Sequence, residues 1–367
     1  KNMPKLFKSM GVFNNILKDN ESLFRDSVAL DYDYIPKLIP YREYEQRYIA
    51  NCIKPLFAKR NGKNVLVHGS PGIGKTVAIK HLFNELEEET DDIVPIYINC
   101  WQKNTSFKIN LDICEQLGYK FTHNKKTDDL FDIIKDILNK KSAVFCFDEI
   151  DKVEDLSFLY MILEKIYRKT IILITNFKIW AVNLDTRLKS RLTLEDINFK
   201  KYNHTEIKGI LKNRLQYAFV SNVWEDDAFN IAAKKTAEIE DIRSGLYILK
   251  ESGNCAEEVS SKKITIEHVN KAIEKLSDFS IKDKTELKED EQEILELIKE
   301  NSEKKIGDLF ELYKQKGGSG VYKTFQRKIE KLSKNKFISI SKTQGGAEGN
   351  TTIVKYERET ETKLNEY

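Results

Sequence analysis

The chain has 367 residues, a formal net charge of +3, 40% apolar residues and 32% charged residues. This length is too great for one typical hydrophobic core, so two or three domains are expected. The composition is that of a globular protein with a strongly charged surface, and no run of about 18 or more apolar residues occurs, which excludes a membrane-spanning helix.

The N-terminal stretch KNMPKLFKSMGVF lacks the long apolar core of a signal peptide, so an intracellular protein is expected. Five cysteines are scattered without the spacing of metal ligands, and we interpret them as reduced, mostly buried thiols. They are Cys52, Cys100, Cys114, Cys146 and Cys255.

Four apolar runs in the first half of the chain are separated by segments of helical length. Because the runs do not alternate with polar residues, they predict strands of a parallel sheet that is covered by helices on both faces. They span residues 64–69, 93–100, 143–151 and 170–176. The prolines of IPKLIP precede them and indicate an extended entry into a helix that begins near Tyr41.

After about Asn198 the strands are predicted to stop, and amphipathic helices follow to about Leu276. A polar linker comes next, and then a third unit of three helices and a β-hairpin. The predicted divisions are an α/β domain at 1–198 with an arm at 1–40, an all-helical domain at 199–280, a third domain at 281–356 and a disordered tail at 357–367.

A glycine-rich stretch, GSPGIGKT at residues 69–76, lies between the strand VLVH and a helix predicted from Lys75 to about Glu89. It matches the phosphate-loop pattern G-x-x-x-x-G-K-[ST] at every required position. Glycines let backbone N–H groups approach phosphates closely, and the helix N-terminus adds a favourable dipole. We expect Lys75 to reach the terminal phosphates and Thr76 to ligate magnesium; a turn that only joins a strand to a helix is the alternative.

A second strand end supplies the carboxylate that a phosphate-bound magnesium needs. Asp148 ends the apolar run in VFCFDEID, at the carboxyl end of a strand, where open α/β sheets bind their ligands. Glu149 beside it can orient or deprotonate an attacking water. A DE pair is common after any apolar run, but together with the phosphate loop it indicates a nucleotide site.

Three further segments carry groups suited to phosphoryl transfer. Asn176 ends the run IILITN, from which its amide can hydrogen-bond the γ-phosphate or the water. Arg187 and Arg191 share a face of the helix in LDTRLKSRL, and Arg243 begins a later helix. Arginine stabilises charge on a transferring phosphoryl group, although a turn asparagine and surface ion pairs are the alternatives here.

Charge is distributed unevenly towards the C-terminus. Residues 286–303 include eight acids and two lysines, whereas residues 320–342 include seven basic residues and Glu330 as the single acid. Within GVYKTFQRKIEKLSKNKF, residues 320–337, an apolar stripe at helical spacing is predicted to face a core, and a basic stripe lies opposite. The apolar stripe is Tyr322, Phe325, Ile329 and Leu332, and the basic stripe is Lys323, Arg327, Lys331 and Lys334.

A solvated helix normally mixes both signs of charge, so this nearly pure basic face favours a polyanion partner. With KIGDLFELYKQKGGSG as the preceding helix and turn, the segment occupies the recognition position of a helix-turn-helix, which enters the major groove of DNA. Lysines are expected to contact phosphates, and Arg327, followed by Gln326, is the candidate for reading bases.

The order of these motifs along the chain resembles that of the AAA+ ATPases. The motifs are the phosphate loop, DEID, the strand-terminal asparagine, SRL and the late arginine. Four stretches narrow the resemblance to the archaeal origin-recognition and cell-division-cycle initiator family, over about residues 20–356. They are LFRDSVALDYDYIPKLIPYREYE, YINCWQKNTSFKINLDICEQLG, the lid entrance LDTRLKSRLTLEDINFKKYNHTEIKGILKNRL and the C-terminus. The resemblance implies an α/β P-loop AAA+ domain, an all-α lid domain and a winged-helix domain.

The resemblance also implies ATP or ADP and Mg²⁺ as cofactors, with roles for particular residues. Asp148 would hold magnesium through water, Glu149 would activate the hydrolytic water, and Asn176 and Arg243 would be the first and second sensors. Arg191, in preference to Arg187, matches the arginine finger. The residues implied around the phosphates are Pro71, Gly72, Ile73, Gly74, Lys75, Thr76 and Val77, and those near the adenine are Pro40, Tyr41 and Arg42.

For DNA, the resemblance implies contacts from a helical insertion at about 101–118 and from the winged helix. The residues concerned are Lys103, Lys108, Tyr322, Lys323, Gln326, Arg327, Lys328, Lys331, Lys342, Gly345 and Gly346. Two positions depart from the family pattern. Glu240 precedes Asp241 where glycine is usual, and Glu348 stands at the tip of a wing that is often basic in relatives.

The function implied is an ATP-regulated replication initiator in the cytoplasm, at the nucleoid, that binds duplex origin DNA, associates with other initiator copies and helps recruit or load the replicative minichromosome-maintenance helicase. ATP hydrolysis would be weak and regulatory, and no membrane partner is expected. A motor or remodelling ATPase of clamp-loader or transposition type is the alternative, as is a DNA-binding regulator that uses nucleotide only for structural integrity.

Overall fold

A computed structural model describes residues 22–285, 289–316, 318, 321–334, 337–343 and 351–356 of the chain. The protein divides into two compact units, Lys1–Leu276 and Ser277–Tyr367. Among the described residues, no helix is long and apolar enough to cross a membrane.

Five strands of the first unit form one sheet in which all neighbours are parallel. They are β1 (Val65–His68), β2 (Ile93–Asn99), β3 (Ser142–Asp148), β4 (Lys169–Thr175) and β5 (Glu195–Asn198), and their order in the sheet is β2-β3-β4-β1-β5. The central strands β1, β3 and β4 are buried along nearly their whole length, which explains why their sequences do not alternate. The four predicted strands and the parallel sheet are confirmed.

The fifth strand, β5, was not predicted. Its sequence is EDIN, and only Ile197 is buried, so no apolar run marks it. It forms the edge of the sheet beside β1, where one face of a strand can remain in water. The pairing with β1, not its own composition, makes it a strand.

In the described portion of the α/β part, seven α-helices cover the two faces of the sheet. They are α1 (Glu43–Ile53), α2 (Lys75–Glu89), α3 (Ser106–Gln116), α4 (Thr127–Leu138), α5 (Ser157–Lys165), α6 (Ile179–Val182) and α7 (Thr186–Leu192). Because successive strand residues point to opposite faces, Val65 and Val67 pack with α1 and α2, whereas Leu66 packs with the cluster built on α3, α4 and α5. The carboxyl edge of the sheet is left for polar residues.

Four helices follow the sheet: α8 (His204–Ala218), α9 (Asp226–Ile239), α10 (Ile242–Glu258) and α11 (Ile266–Thr285). The described part of the N-terminal arm, residues 22–40, packs into this helical part as well as leading into α1. Leu23, Ala29 and Leu30 belong to the helical core, and the Phe24 ring stacks on Phe219 with centroids 4.7 Å apart. All five cysteines are free and buried, as predicted.

The second unit has the element order of a winged helix. After the end of α11, its described elements are α12 (Glu289–Glu300), β6 (Lys304–Lys305), α13 (Ile306–Gln315), α14 (Tyr322–Lys334), β7 (Ile338–Thr343) and β8 (Thr351–Tyr356), with an antiparallel sheet in the order β6-β8-β7. Phe325 anchors its core, with ring centroids 5.4 Å from Phe310 and 5.2 Å from Tyr313. The predicted three helices and hairpin are confirmed.

Three of the four residues predicted to form the core-facing stripe of α14 are buried: Phe325, Ile329 and Leu332. Tyr322 differs, because it is 42% exposed at the beginning of the helix. Its ring lies 5.2 Å from that of Phe310 on α13 in a T-shaped arrangement. Tyr322 therefore meets α13, as predicted, but is only partly covered by the core.

The beginning of α10 contacts the glycine-rich loop. The backbone N–H of Ile242 donates to the carbonyl oxygen of Gly72 at 3.2 Å. Gly72 has φ of +71°, and a Cβ at this position would overlap the Asp241 carboxylate. Glycine thus permits both the left-handed backbone and the close approach of the helical part.

Gly72→Ala is expected to destabilise the first unit by clearly more than left-handed strain alone, which is about 1 kcal/mol. Gly118→Ala is the matched control, because Gly118 has φ of +79° and no atom lies within 4 Å of an added Cβ. Urea unfolding of both variants measures the difference. Equal costs would contradict the close contact between Gly72 and Asp241.

Candidate nucleotide-binding site

A cavity of about 290 Å³ lies at the carboxyl edge of the parallel sheet. It is lined by the glycine-rich loop, the ends of β3 and β4, the N-terminal arm, α8 and the beginning of α10. The turns that follow β1, β3 and β4 meet here because these strands are parallel neighbours in the sheet. The predicted loop, Asp148, Glu149, Asn176 and Arg243 are therefore brought together.

Lys75 begins α2 and is almost completely buried. Its Nζ donates to the carbonyl oxygens of Gly69 and Ser70, both at 2.8 Å, and to Oδ1 of Asn176 at 2.9 Å. Burial lowers the pKa of Lys75 to about 8, against the opposing attraction of Asp148. The ammonium is thus a poorly hydrated cation at the N-terminus of α2. Both the positive charge and the helix N-terminus favour the binding of an anion.

The Asp148 carboxylate accepts three hydrogen bonds. Thr76 Oγ1 donates to Oδ2 at 2.5 Å, Tyr97 Oη donates to the same oxygen at 2.8 Å, and the Glu149 N–H donates to Oδ1 at 2.9 Å. The hydroxyl of Thr76 and the carboxylate of Asp148 thus form an adjacent pair of hard oxygen donors, the ligand type that magnesium prefers.

Glu149 has a left-handed backbone, with φ of 53° and ψ of 43°. Such a conformation is unusual for a residue other than glycine or asparagine and often marks a functional position. Burial, followed by the negative charges of Asp148 and Asp151, raises the pKa of Glu149 above its ordinary value. Glu149 is therefore a stronger proton acceptor than a fully solvated carboxylate.

Arg243 lines the cavity from the first turn of α10. Its guanidinium binds Asp241 in a fork, with Nε at 3.2 Å from Oδ1 and Nη2 at 2.9 Å from Oδ2. Asp241 also caps α10, because the same Oδ1 accepts the backbone N–H of Arg243. The carboxylate thus orients the arginine at the cavity wall.

Part of the cavity lining is apolar. It includes Leu38, Ile39 and Pro40 of the arm and Ile210 and Tyr217 of α8. An apolar slot between two elements suits a flat heterocyclic base.

Arg42 and Tyr41, which were predicted near the adenine, are not among the residues that line the cavity. Arg42 is buried, donates through Nη2 to the carbonyl oxygens of Ile73 at 3.1 Å and Lys200 at 2.6 Å, and stacks 3.9 Å from the Tyr202 ring centroid. It supports the glycine-rich loop from outside the cavity lining. Tyr41 likewise is not part of that lining, and its hydroxyl lies near Gly209 of α8.

Arg187 and Arg191 are both exposed on α7, and neither lines the cavity. Arg191 Nη1 pairs with Glu164 Oε1 at 3.0 Å. Neither arginine is therefore among the groups that meet around Lys75 in the cavity. Ile73 and Val77 were both predicted around the phosphates. Val77 lines the cavity, whereas Ile73 is buried and does not line it.

The residues present fit a nucleoside triphosphate with magnesium. Glycines occupy positions of the loop where a Cβ would collide, Gly69 with the carbonyl oxygen of Phe199 and Gly72 with Asp241. Gly74 has φ of 86° and turns the loop into the N-terminus of α2. A buried lysine, a hydroxyl and carboxylate pair, and an arginine then converge on the space in front of the loop.

The second unit carries the predicted nucleic-acid face on α14. Lys323, Gln326, Arg327 and Lys331 are exposed, and Lys328 is half-buried. Gly345, Gly346 and Glu348 lie outside the described residues, as does the 357–367 tail, and nothing is described of the Lys342 side chain.

The helical insertion contains α3, as predicted. Lys103 pairs with Asp112 at 3.3 Å and Lys108 Nζ donates to Asn104 Oδ1 at 3.0 Å, so both lysines have local partners. Trp101 is 65% exposed beside them, with the Lys152 ammonium 5.3 Å from its ring centroid.

Glu240, the departure from the glycine pattern, has a left-handed backbone with φ of 61° at the end of α9. The position therefore demands the conformation that glycine adopts most easily. Its carboxylate forms an ion pair with Lys201, which precedes α8. The helical part retains its approach to the loop despite the substitution.

Among the residues that sequence reasoning missed are Tyr32, Asp33 and Asn213 in the cavity lining and Tyr97, which lies outside the lining and bonds to Asp148. Tyr97 had a visible signal, because it is a tyrosine within the otherwise apolar strand IVPIYIN, and a buried hydroxyl needs a partner. The others had none, since their positions depend on how the arm and α8 pack together.

Comparisons with known proteins agree with this geometry. The AAA domain family matches residues 58–177, and the Cdc6 AAA+ ATPase-type lid domain family matches residues 208–274. The ORC1-type DNA replication protein 2 of Methanothermobacter thermautotrophicus is 29% identical over 363 residues, covering 93% of each chain. The ORC1-type DNA replication protein 1 of Sulfurisphaera tokodaii is 34% identical over 263 residues, which are 68% of this chain and 66% of that protein.

Among solved structures, the ORC1 protein of Aeropyrum pernix, determined in complex with DNA, superimposes with a TM-score of 0.71 at 22% identity. The match covers 92% of this chain and 94% of that one, and at this identity it speaks to the fold. The range matched by the AAA domain family contains the phosphate loop and the DEID strand end, and the range matched by the lid domain family contains Arg243. The chain belongs to the archaeal origin-recognition and cell-division-cycle initiator family of AAA+ ATPases.

Proposed function

We propose that this protein binds and hydrolyses ATP with Mg²⁺ at the cavity and uses the nucleotide to regulate its binding to duplex origin DNA. One observation carries the proposal: the glycine-rich loop, Lys75, Asp148, Glu149 and Arg243 converge on a single cavity. Each of these groups matches a separate requirement of phosphoryl transfer.

Within the cavity, backbone N–H groups of residues 71–77 would hold the phosphates, and Lys75 would contact the terminal ones. Thr76 and Asp148 would hold magnesium, whose charge would neutralise the phosphate oxygens. Asn176 Oδ1 already accepts from Lys75 Nζ, so the amide would orient the lysine and present its NH₂ to the γ-phosphate or the water. The base would occupy the apolar slot between Pro40 and α8.

Glu149 would accept the proton of the attacking water, because it is next to Asp148 and is a strengthened base. Arg243 would supply positive charge within the same chain. Arg191, with Arg187 as the second choice, would serve a neighbouring copy, since neither reaches this chain's own cavity. Hydrolysis by an isolated chain would accordingly be slow and regulatory.

DNA would be bound by the exposed basic face of α14 in the major groove and by the insertion that contains Lys103 and Lys108. Lysines would contact phosphates and Arg327 would read a base. In the wing, Lys342, Gly345 and Gly346 are proposed contacts. The domain divisions at 198 and 280 are part of the same proposal, since the sheet, the helical lid and the winged helix would have separate tasks.

The relatives named ORC1-type DNA replication proteins favour an initiator that helps recruit or load the replicative minichromosome-maintenance helicase. Footprinting of chromosomal DNA near the gene, with and without ATP, tests the proposal. Protection of a discrete repeated site supports the initiator. Uniform coverage with rapid ATP turnover would instead indicate the motor or remodelling ATPase.

The affinity for ATP is expected to fall as the pH rises above 8. Lys75 has a pKa of about 8 in the folded protein. One pH unit above this value, about nine-tenths of the Lys75 side chains are neutral. The affinity for ATP therefore falls by up to about tenfold. Because the unfolded lysine still holds its proton up to about pH 10.5, the nucleotide-free protein should gain stability between pH 8 and 10.5 from this group. Equilibrium binding and urea unfolding measure both trends, and Lys75→Met should lack them. Parallel pH profiles for the two proteins would rule out this role of Lys75.

Glu149→Gln is expected to retain ATP affinity within about threefold and to lose hydrolysis by at least about 100-fold, because the amide cannot accept a proton from water. Glu238→Gln is the control, since Glu238 lies on α9 and pairs with Lys235. Nucleotide binding and single-turnover hydrolysis are measured separately. Loss of ATP binding in Glu149→Gln would contradict the assigned role.

Lys323→Ala is expected to weaken binding to all duplexes alike and to reduce the slope of log K against log salt by about 1. Arg327→Ala should additionally lose about 1–3 kcal/mol of discrimination between sequences. Lys316→Ala is the control, because it removes the same charge just after the end of α13, where Lys316 pairs with Glu300 at 2.7 Å. Titrations of specific and random duplexes decide between the roles, and equal losses on every sequence for Arg327→Ala would refute base reading.

A further inference from the structure

Tyr97 stands out among the cavity's surroundings because its hydroxyl is bonded to the carboxylate that the proposed function assigns to magnesium. Tyr97 Oη donates to Asp148 Oδ2 at 2.8 Å, across from the neighbouring strand. A phenol keeps its proton at neutral pH, so the Tyr97 hydroxyl is the donor and the carboxylate is the acceptor.

The fold holds the Tyr97 ring firmly from several sides. Residue 97 pairs with Cys146 in the β2 and β3 register, two positions before Asp148 on the partner strand. The ring packs against the cluster formed by α1, α2 and the sheet, and the Lys80 ammonium lies 4.7 Å from its centroid. The Tyr97 carbonyl oxygen accepts from Gln116 Nε2 at 2.9 Å, which ties the strand to α3. The hydroxyl therefore has little freedom to leave Asp148.

Asp148 itself has few other restraints. Oδ1 accepts the Glu149 N–H, and Oδ2 accepts Thr76 Oγ1 and Tyr97 Oη. Thr76 is itself a proposed magnesium ligand, so the position of its hydroxyl would depend on the cation as well as on Asp148. Tyr97 is then the side chain that continues to fix the plane of the carboxylate.

We infer that Tyr97 is a positioning residue for magnesium: its hydroxyl holds Asp148 in the orientation that presents the remaining lone pairs of the carboxylate to the cation. The inference rests on the proposed nucleotide site. Hydrogen bonds to a metal-binding carboxylate from residues that do not touch the metal commonly change metal affinity by about 10-fold to 100-fold.

A purely structural role gives a different expectation. A buried tyrosine hydroxyl needs an acceptor, and Asp148 could serve only that need. Removal of the hydroxyl would then lower the stability of the protein, but it would leave the dependence of nucleotide binding on magnesium as it is in the wild type. The metal dependence of binding separates the two roles.

Tyr97→Phe is the test, because phenylalanine keeps the ring, its packing and the contact with Lys80 while removing the hydroxyl. Affinity for a fluorescent, non-hydrolysable ATP analogue is measured by equilibrium titration over a series of Mg²⁺ concentrations and in EDTA. We expect the half-saturating Mg²⁺ concentration to rise about 10-fold, with affinity in EDTA within about twofold of the wild type. Thermal unfolding in EDTA verifies that the variant is folded.

Tyr48→Phe is the matched control, since Tyr48 Oη also donates to a carboxylate, Glu195 Oε2, at 3.0 Å, and Tyr48 does not line the cavity. It should leave the Mg²⁺ dependence unchanged. An unchanged Mg²⁺ dependence in Tyr97→Phe, or an equal loss of affinity in EDTA, would overturn the inference while leaving the nucleotide site intact. Failure of the wild type itself to bind the analogue would overturn the proposed function and the inference with it.

Discussion

Parallel pairing of β3, β4 and β1 is the constraint on which the site depends. In a parallel sheet the carboxyl ends of neighbouring strands lie at one edge, and here those ends lead into Asp148, Asn176 and the glycine-rich loop. Three segments that are far apart in sequence thereby meet without any long loop. The strands can be parallel because helices on both faces bury their apolar side chains in two separate clusters.

The charged groups of the cavity have partners that belong to the protein itself. Lys75 donates to two carbonyl oxygens and Asn176, Arg243 forms a fork with Asp241, and Thr76 bonds to Asp148. Buried polar groups are costly when unpaired, so these contacts keep the site ordered. A phosphate group that binds at the loop must compete with these protein acceptors for Lys75 and Arg243. This competition favours a highly charged anion over a weakly charged one.

The helical part of the first unit contributes to the cavity as much as the sheet does. Its core includes the arm residues Leu23, Ala29 and Leu30, and α10 meets the loop at Gly72. Arg214 of α8 strengthens the same connection, because it is buried and donates to the carbonyl oxygens of Ala29 and Tyr34 in the arm. Gly72 and Asp241 therefore connect the glycine-rich loop directly to the helical part.

The sequence alone determined the local chemistry of this protein. Uninterrupted apolar runs predicted the buried strands, the phosphate-loop pattern predicted the start of α2 at Lys75, and helical spacing predicted the buried Phe325, Ile329 and Leu332. These features follow from the residues within one element, so a short window of sequence contains them. Tertiary structure alone decided the edge strand β5, the support of the loop by Arg42, the exposure of Tyr322 and the bond from Tyr97 to Asp148. Each of these depends on which elements become neighbours, because burial and hydrogen-bond partners are properties of the packed chain and not of any single segment.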